Sequence, residues 1–123
     1  MDATEIAITS KLVTDAVGSA LRVTVAGSDL NLTKQNAIWT GKLDIFLVRR
    51  DQETLHAKVS GLTVGLRLKS ETYRRAMKEG LTFDERLDTK QGNNGSLRVV
   101  VVDVNSGRIG SVTVPTSALL AQR

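Results

Sequence analysis

Cysteine is absent from the chain, which excludes disulfide bonds, thiol catalysis and cysteine zinc sites. Histidine occurs once, as His56, so one chain cannot form a histidine metal cluster and a Ser-His-Asp triad would depend on this residue. The alternation around His56 predicts a side chain on the surface of a strand, and no Gly-x-Ser-x-Gly motif accompanies it. We therefore predict that the protein is not an enzyme and has no catalytic residues, no cofactor and no metal.

Aromatic residues make up only 3% of the chain. Proteins that bind single-stranded nucleic acid usually interleave stacking rings with basic residues. Here 17 basic residues are scattered among 13 acidic ones, and the net charge is +4. This distribution predicts a solvated charged surface and no nucleic-acid partner.

Long apolar runs are also missing. None approaches the ~20 residues of a membrane span, so we expect no membrane insertion. Hydrophobic residues still amount to 41% of the 123 residues, which is enough for one core. We expect residues 1–123 to form a single domain with a tail from about residue 116.

Apolar and polar residues alternate along much of the chain, as expected for β-strands with one buried face. In "LRVTV" (21–25) the leucine and both valines share one face, and in "GKLDIFLVRR" (41–50) Leu43, Ile45 and Leu47 do. The second segment is apolar on both faces near its end, which is typical of a central strand.

Two slips in this alternation predict β-bulges. "LHAKV" (55–59) has its apolar residues at odd positions, whereas "LTVGLRL" (62–68) has them at even positions. We therefore expect an extra residue at the Ser-Gly pair 60–61. A second change from odd to even apolar positions, between residues 109 and 112, predicts a second bulge at 110–111.

The segment "KSETYRRAMKEG" interrupts the β-pattern and predicts a short helix near 70–79. Ser70 is placed to cap its N-terminus. Tyr73, Ala76 and Met77 fall on one face at helical spacing. Gly80 is placed as the residue that follows the helix, with Leu81 beyond it to pack back.

The closing stretch "LRVVVVDVNSGRIGSVTVP" (97–115) predicts a β-hairpin with its turn at 105–107. Pro115 should end the pairing because it has no N–H. Together with the other strands, this hairpin favours a mainly β protein: an antiparallel two-sheet sandwich, immunoglobulin-like, with one short helix near 70–79. A small β-barrel is the alternative.

The first strand of this hairpin is apolar on both faces. We expect Leu97, Val99 and Val101 to enter the core, because Arg98 belongs to the opposite set. That choice leaves Val100 and Val102 on an outer face. Either the helix or a neighbouring loop covers these two valines, or they form a contact surface for a partner domain or a second copy of the chain.

A different ligand surface would use Trp39, Arg49 and Arg50. A tryptophan beside two guanidinium groups suits a weak carbohydrate- or anion-binding module. The competing prediction is that Trp39, the only tryptophan, is at least half buried at the start of its strand and packs against the sheet.

Three phrases occur together: "WTGKLDIFLVRRD", "LRLKSETYRRAMKEGLTF" and "LRVVVVDVNSGRIGSVTVP". In this order and spacing they resemble the C-terminal region of von Willebrand factor type A-related proteins of the acidobacterial type, over roughly residues 4 to 115. The resemblance implies an accessory β-sandwich of an exported bacterial protein that acts in adhesion or protein–protein contact. The metal site of the A domain has an Asp-x-Ser-x-Ser motif, which this chain lacks, so no metal residue is carried over.

The leading hypothesis from these observations is a non-catalytic β-sandwich module of a bacterial extracytoplasmic protein, secreted or periplasmic with its parent chain. Its role would be protein–protein interaction or scaffolding, with a protein partner, a neighbouring domain or a second copy of the chain. The alternative is the weak carbohydrate- or anion-binding module.

We predict that calcium, magnesium and zinc leave the melting temperature unchanged. Asp103, Asn105 and Ser106 resemble part of a calcium loop, but the further acidic ligands and the distal Glu of such a loop are missing. A metal at one hundred times its dissociation constant would stabilise the fold by about 2.7 kcal/mol. A shift of several degrees in calorimetry at millimolar metal would contradict the prediction.

Overall fold

A computed structural model describes residues 2–14, 16, 18–51, 57–86 and 95–115. These residues form eight strands: β1 (Ile8–Thr14), β2 (Ser19–Val25), β3 (Thr33–Gln35), β4 (Ile38–Asp51), β5 (Ala57–Lys69), β6 (Leu81–Arg86), β7 (Gly95–Asp103) and β8 (Ile109–Pro115). One helix, α1 (Ser70–Glu79), and a 3-10 turn at Gly27–Asp29 accompany them. His56 and the tail after Pro115 lie outside the described residues.

The strands form two antiparallel sheets, as predicted. The smaller sheet has the order β1-β2-β6. In the larger sheet β4 pairs along its length with β5 on one side, and with β3 and then β7 on the other, and β8 follows β7. Each sheet therefore contains strands from both halves of the chain, which is the Greek-key arrangement of a β-sandwich.

One apolar core lies between the sheets. Alternate residues of β2, β4 and β7 point into it, as the sequence pattern predicts. The buried core residues are Ile6, Leu21, Val23, Val25, Leu43, Ile45, Leu66, Leu97, Val99 and Val101. Each buried side chain of this size contributes about 1.5–3 kcal/mol, so this contact is the main source of stability.

Neither predicted bulge is present. β5 pairs with β4 in an unbroken register from Ala57 to Lys69, and β8 pairs with β7 without an interruption. Val59 points to the outer face instead and is 62% exposed, and Ile109 is exposed on the same face of the sheet. The apolar residues shift from odd to even positions because they lie on opposite faces of the strand. No extra residue is inserted into the backbone, as a bulge would require.

The helix spans Ser70–Glu79 as predicted, but Ser70 is its first residue and not its cap. Lys69 precedes it with extended dihedral angles, because it still pairs with Ile38 in the sheet. Gly80 has φ of +86° and its N–H donates to the carbonyl of Ala76. The prediction that Gly80 ends the helix is therefore confirmed.

The N-terminal residues close one side of the sandwich. Thr4 bridges Gly110, and the N–H of Ile6 donates to the carbonyl of Ile109, so residues 2–6 lie beside β8. Gly110 permits this close approach, since a side chain there would collide with Ile6. The chain then crosses to the smaller sheet as β1, and this crossing joins the two sheets.

A buried carboxylate organises the turn of the predicted β7–β8 hairpin. Asp103 is 1% exposed. It accepts hydrogen bonds from the N–H of Asn31 at 2.7 Å, the N–H of Asn105 at 3.2 Å and the hydroxyl of Ser106 at 2.8 Å. Gly107 supplies the expected positive φ of +76°. Two of the three residues that resemble a calcium loop, Asp103 and Ser106, are therefore hydrogen-bonded to each other.

We predict that Asp103→Ala destabilises the fold by about 3 kcal/mol, measured by chemical denaturation. The substitution leaves two backbone N–H groups and one hydroxyl without their buried acceptor. Asp84→Ala is the matched control, because Asp84 makes an exposed ion pair with Arg22 at 2.9 Å. Equal losses of stability in the two variants would contradict a structural role specific to Asp103.

Candidate binding surfaces

The outer face of the larger sheet carries adjacent apolar side chains. Val100 lies opposite Phe46 in the register, and Val102 lies opposite Asp44. Val48 is the next outward residue on β4, and Phe46 is 37% exposed while Val48, Val100 and Val102 are half-buried. We call Phe46, Val48, Val100 and Val102 the outer apolar patch. The ring of Phe46 lies over Gly61 of β5, where a side chain would collide with it.

The helix does not cover this patch. It packs against the 3-10 turn, β5 and the start of β4, at one end of the sandwich. Val102 lies opposite Asp44, six residues along β4 from Ile38 at that end, which corresponds to about 20 Å. The helix is therefore wrong as the expected cover of Val100 and Val102, and cover by a neighbouring loop stays a prediction.

A polar cluster borders the patch next to β8. Arg98, on the same face as Val100, lies 3.6 Å from the carboxylate of Asp2. Asp2 also accepts hydrogen bonds from the hydroxyls of Thr113 at 2.7 Å and Ser111 at 3.1 Å. The bond from the Thr113 hydroxyl is the main cause that lowers the pKa of Asp2, and partial burial opposes it. The cluster anchors the N-terminus and gives the patch a charged rim.

The other side of the sandwich, away from the N-terminal segment, is open as far as the described residues extend. β5 is the edge of the larger sheet and β6 is the edge of the smaller sheet, and their described residues do not pair with each other. Between them lies a cavity of about 590 Å³. Leu47, Leu62, Val64 and Phe83 line it, together with buried core residues such as Val99. We call this cavity the seam cleft.

The edge of β5 is unusually exposed. Its residues 57–63 are exposed at every position, on both faces of the strand. Leu62 points to the seam cleft and is 57% exposed, while Val59 points to the outer face. Among the described residues β5 pairs only with β4, so the N–H and C=O groups of its other edge have no strand partner.

Trp39 lies on the core side of β4 near the helix. Its ring stacks on Tyr73 with 3.9 Å between ring centroids and 5° between planes, and the amine of Lys34 lies 5.8 Å from the ring. Trp39 is partly buried, as expected, but its main ring contact is with the helix. One ring face is therefore already occupied.

Arg49 and Arg50 do not join Trp39 in one site. Ten residues of extended strand separate Arg49 from Trp39, which corresponds to about 33 Å. Arg49 lies on the core side and pairs with Glu85 of the smaller sheet at 3.7 Å. Arg50 is exposed on the opposite face. The structure thus distributes the three residues of the predicted ligand surface over separate places.

Within the described ranges, no three His, Asp or Glu side chains come together as a metal-binding group would require. No helix in this part of the chain has the length and apolar character needed to cross a membrane.

Comparisons with known protein families, with curated proteins and with solved structures find no match for the chain. The resemblance to von Willebrand factor type A-related proteins therefore stays a prediction that rests on the three quoted phrases.

Sequence reasoning identified Val100 and Val102 but missed the seam cleft. Leu62 and Phe83, which line the cleft, were read as ordinary strand residues. Alternation indicates which residues share a face, but it does not indicate which strand lies at an edge of a sheet. The one available signal was the change of parity between 55–59 and 62–68, which left apolar residues on both faces of β5.

We predict that Trp39→Ala destabilises the fold by about 3 kcal/mol, because it removes a large, partly buried ring. A double-mutant cycle with Tyr73→Ala should give a coupling of about 0.5–1.5 kcal/mol for the stacked pair. Urea denaturation of the native protein, the two single variants and the double variant measures both the loss of stability and the coupling free energy. Trp39 fluorescence typical of a fully exposed indole, with no loss of stability on substitution, would contradict the prediction and favour a ligand-binding role.

Proposed function

We propose that the chain is a non-catalytic β-sandwich module that binds a protein partner, or a neighbouring domain of a longer chain, through the outer apolar patch. The observation that carries this proposal is the apolar character of a sheet face that antiparallel sandwiches usually keep polar. Contiguous exposed apolar surface of this kind commonly marks an interaction site. The polar cluster around Arg98 and Asp2 would form part of its rim.

The resemblance to the region that follows the A domain in exported bacterial proteins supports the same role. In such a protein the module would act outside the cytoplasm, beside the domain that carries the metal site. An accessory sandwich of this kind needs a contact surface and no catalytic group.

The carbohydrate- or anion-binding alternative receives no support from the geometry. The stacking of Trp39 on Tyr73 occupies one ring face, and Arg49 is paired with Glu85. Arg50 is exposed, but it lies on the opposite face of β4 from Trp39 and Arg49, so the three side chains do not form one ligand site.

We predict that Val102→Lys disrupts association while the module stays folded. The side chain of Val102 points outward, so a lysine there can reach water, but it places a charge within the contact surface. A photo-crosslinking amino acid at Phe46 should capture the partner in the cells that produce the protein, and Val102→Lys should abolish the adduct. Mass spectrometry identifies the captured protein.

A crosslinking residue at Lys11, which is exposed on the smaller sheet, is the matched control and should capture nothing specific. Capture of a second copy at Phe46 would identify a homodimer. Two results would contradict the proposal: no adduct at Phe46, or a drop in melting temperature of Val102→Lys that accounts by itself for the lost adduct.

A further inference from the structure

We propose that the module has a second binding site, independent of the outer apolar patch: an extended acidic segment of a partner protein adds to the free edge of β5. Its alternate apolar side chains enter the seam cleft. The proposal rests on the backbone of β5, the shape of the cleft and the charge of the strand.

The backbone of β5 can pair with another strand. The strand is 13 residues long and keeps an unbroken register with β4, so it is straight enough to serve as a template. No bulge or proline interrupts it, although these are devices by which proteins protect a sheet edge. Residues 57–63 are exposed, so an incoming strand reaches them without displacing anything described. Peptides that add to a sheet edge gain affinity from these main-chain hydrogen bonds.

The seam cleft fits the side chains of such a strand. Side chains alternate between the two faces of a sheet, so every second residue of an added strand points into the cleft. There it meets Leu62 and Val64 on β5, Leu47 on β4 and Phe83 on β6. A volume of about 590 Å³ lies within the range of ~300–1,000 Å³ typical of ligand pockets. Small β-branched or aliphatic side chains at alternate positions would fill it.

The charge of β5 selects an acidic partner. Lys58, Arg67 and Lys69 are its only charged residues, and none of them forms an ion pair with another described residue. Arg67 and Lys69 share the outer face at the helix end of the strand, beyond the open part of the cleft. Acidic side chains at one end of the incoming segment would lie opposite these two cations. Opposite charges on neighbouring strands stabilise the pairing.

The same charges disfavour a second copy of this chain as the occupant. Pairing β5 with β5 of another molecule would place six cations on two neighbouring strands that carry no acidic residue. Like charges on facing strands are destabilising. The acidic groups on the far wall of the cleft do not repel an acidic segment strongly, because Asp84 pairs with Arg22 and Glu85 pairs with Arg49.

The predicted ligand is therefore a strand with alternating apolar residues that ends in acidic residues. As a probe we specify the fluorescein-labelled peptide DVDVTVTVTVT, in which the valines occupy one face and both aspartates lie on the other. The matched control is KVKVTVTVTVT, which has the same apolar face and the opposite charge. In fluorescence anisotropy the acidic peptide should bind at least about tenfold more tightly than the basic one. Added salt should reduce this difference.

Two pairs of variants test the position of the peptide. Leu62→Lys places a charge in the cleft and should weaken binding of the acidic peptide by about tenfold or more. Val59→Lys, on the opposite face of the same strand, should bind it at least as tightly as the native protein. Both side chains are more than half exposed, so both variants should keep the native melting temperature. The double reversal Arg67→Glu and Lys69→Glu should switch the preference to the basic peptide.

Hydrogen exchange tests the pairing itself. The acidic peptide should protect backbone amides within residues 57–65, and sedimentation of the protein without peptide should show a monomer. Absence of peptide binding, equal weakening by Leu62→Lys and Val59→Lys, or binding without protection of β5 would each overturn the proposal. A dimer that Leu62→Lys dissociates would also overturn it, since the occupant would then be a second copy of the chain.

The site is separable from the proposed contact through the outer apolar patch. Val102→Lys lies on the other face of the larger sheet and should leave peptide binding unchanged. If the native protein gives no adduct at Phe46 but binds the acidic peptide, only the contact through the outer apolar patch is wrong. If it gives the adduct but does not bind the peptide, only the site at β5 is wrong.

Discussion

The contact between the inward side chains of β2 and those of β4 and β7 is the constraint on which the rest of the structure depends. Each of these strands presents a row of apolar side chains to the interior. This row is stable in water only when a second sheet covers it. Val23 meets this need from the smaller sheet, and Ile45 and Val99 meet it from the larger sheet. Once these rows face each other, the remaining residues are sorted into turns, edges and outer faces, and their exposure follows from that placement.

The edge strands on the two sides of the sandwich differ in how far other residues cover them. On one side the N-terminal residues lie beside β8 and then continue into β1 of the smaller sheet, and Gly110 permits the close approach of Ile6. On the other side, β5 and β6 face each other across the seam cleft without pairing. A sandwich built from three strands against a larger sheet leaves such an opening when none of its described residues lies along it. The exposed apolar residues Val59 and Leu62 belong to this side, and both surfaces that we propose for binding lie there or on the adjoining outer face.

Hydrogen-bonded polar groups fix the segments that the apolar core does not contact, namely the β7–β8 turn and the N-terminal residues. Asp103 connects the β7–β8 turn to Asn31 in the segment that precedes β3. A buried carboxylate is costly unless its oxygens are hydrogen-bonded, so the three donors around it form a single cooperative arrangement. Asp2 does the same at the surface, where hydroxyl donors and Arg98 hold the N-terminal residues against β8. The contact of Asp103 with Asn31 and that of Asp2 with Ser111 each join residues more than 70 positions apart in the chain.

Local sequence patterns were enough to predict the two-sheet β-architecture and the inward set Leu97, Val99 and Val101 from alternation, and the helix at 70–79 with its end at Gly80 from helical spacing and the glycine. Each of these patterns depends on neighbours along the chain. Alternation failed at the two bulges, since apolar residues that change faces produce the same parity slip as an inserted residue. The cap at Ser70 was wrong because pairing of Lys69 with Ile38 extends the strand up to the helix. The edge position of β5, the seam cleft and the separation of Trp39 from Arg49 depend on strand order and on the pairing of distant segments. Only the tertiary structure decides these, because a strand has the same period of two at the centre and at the edge of a sheet.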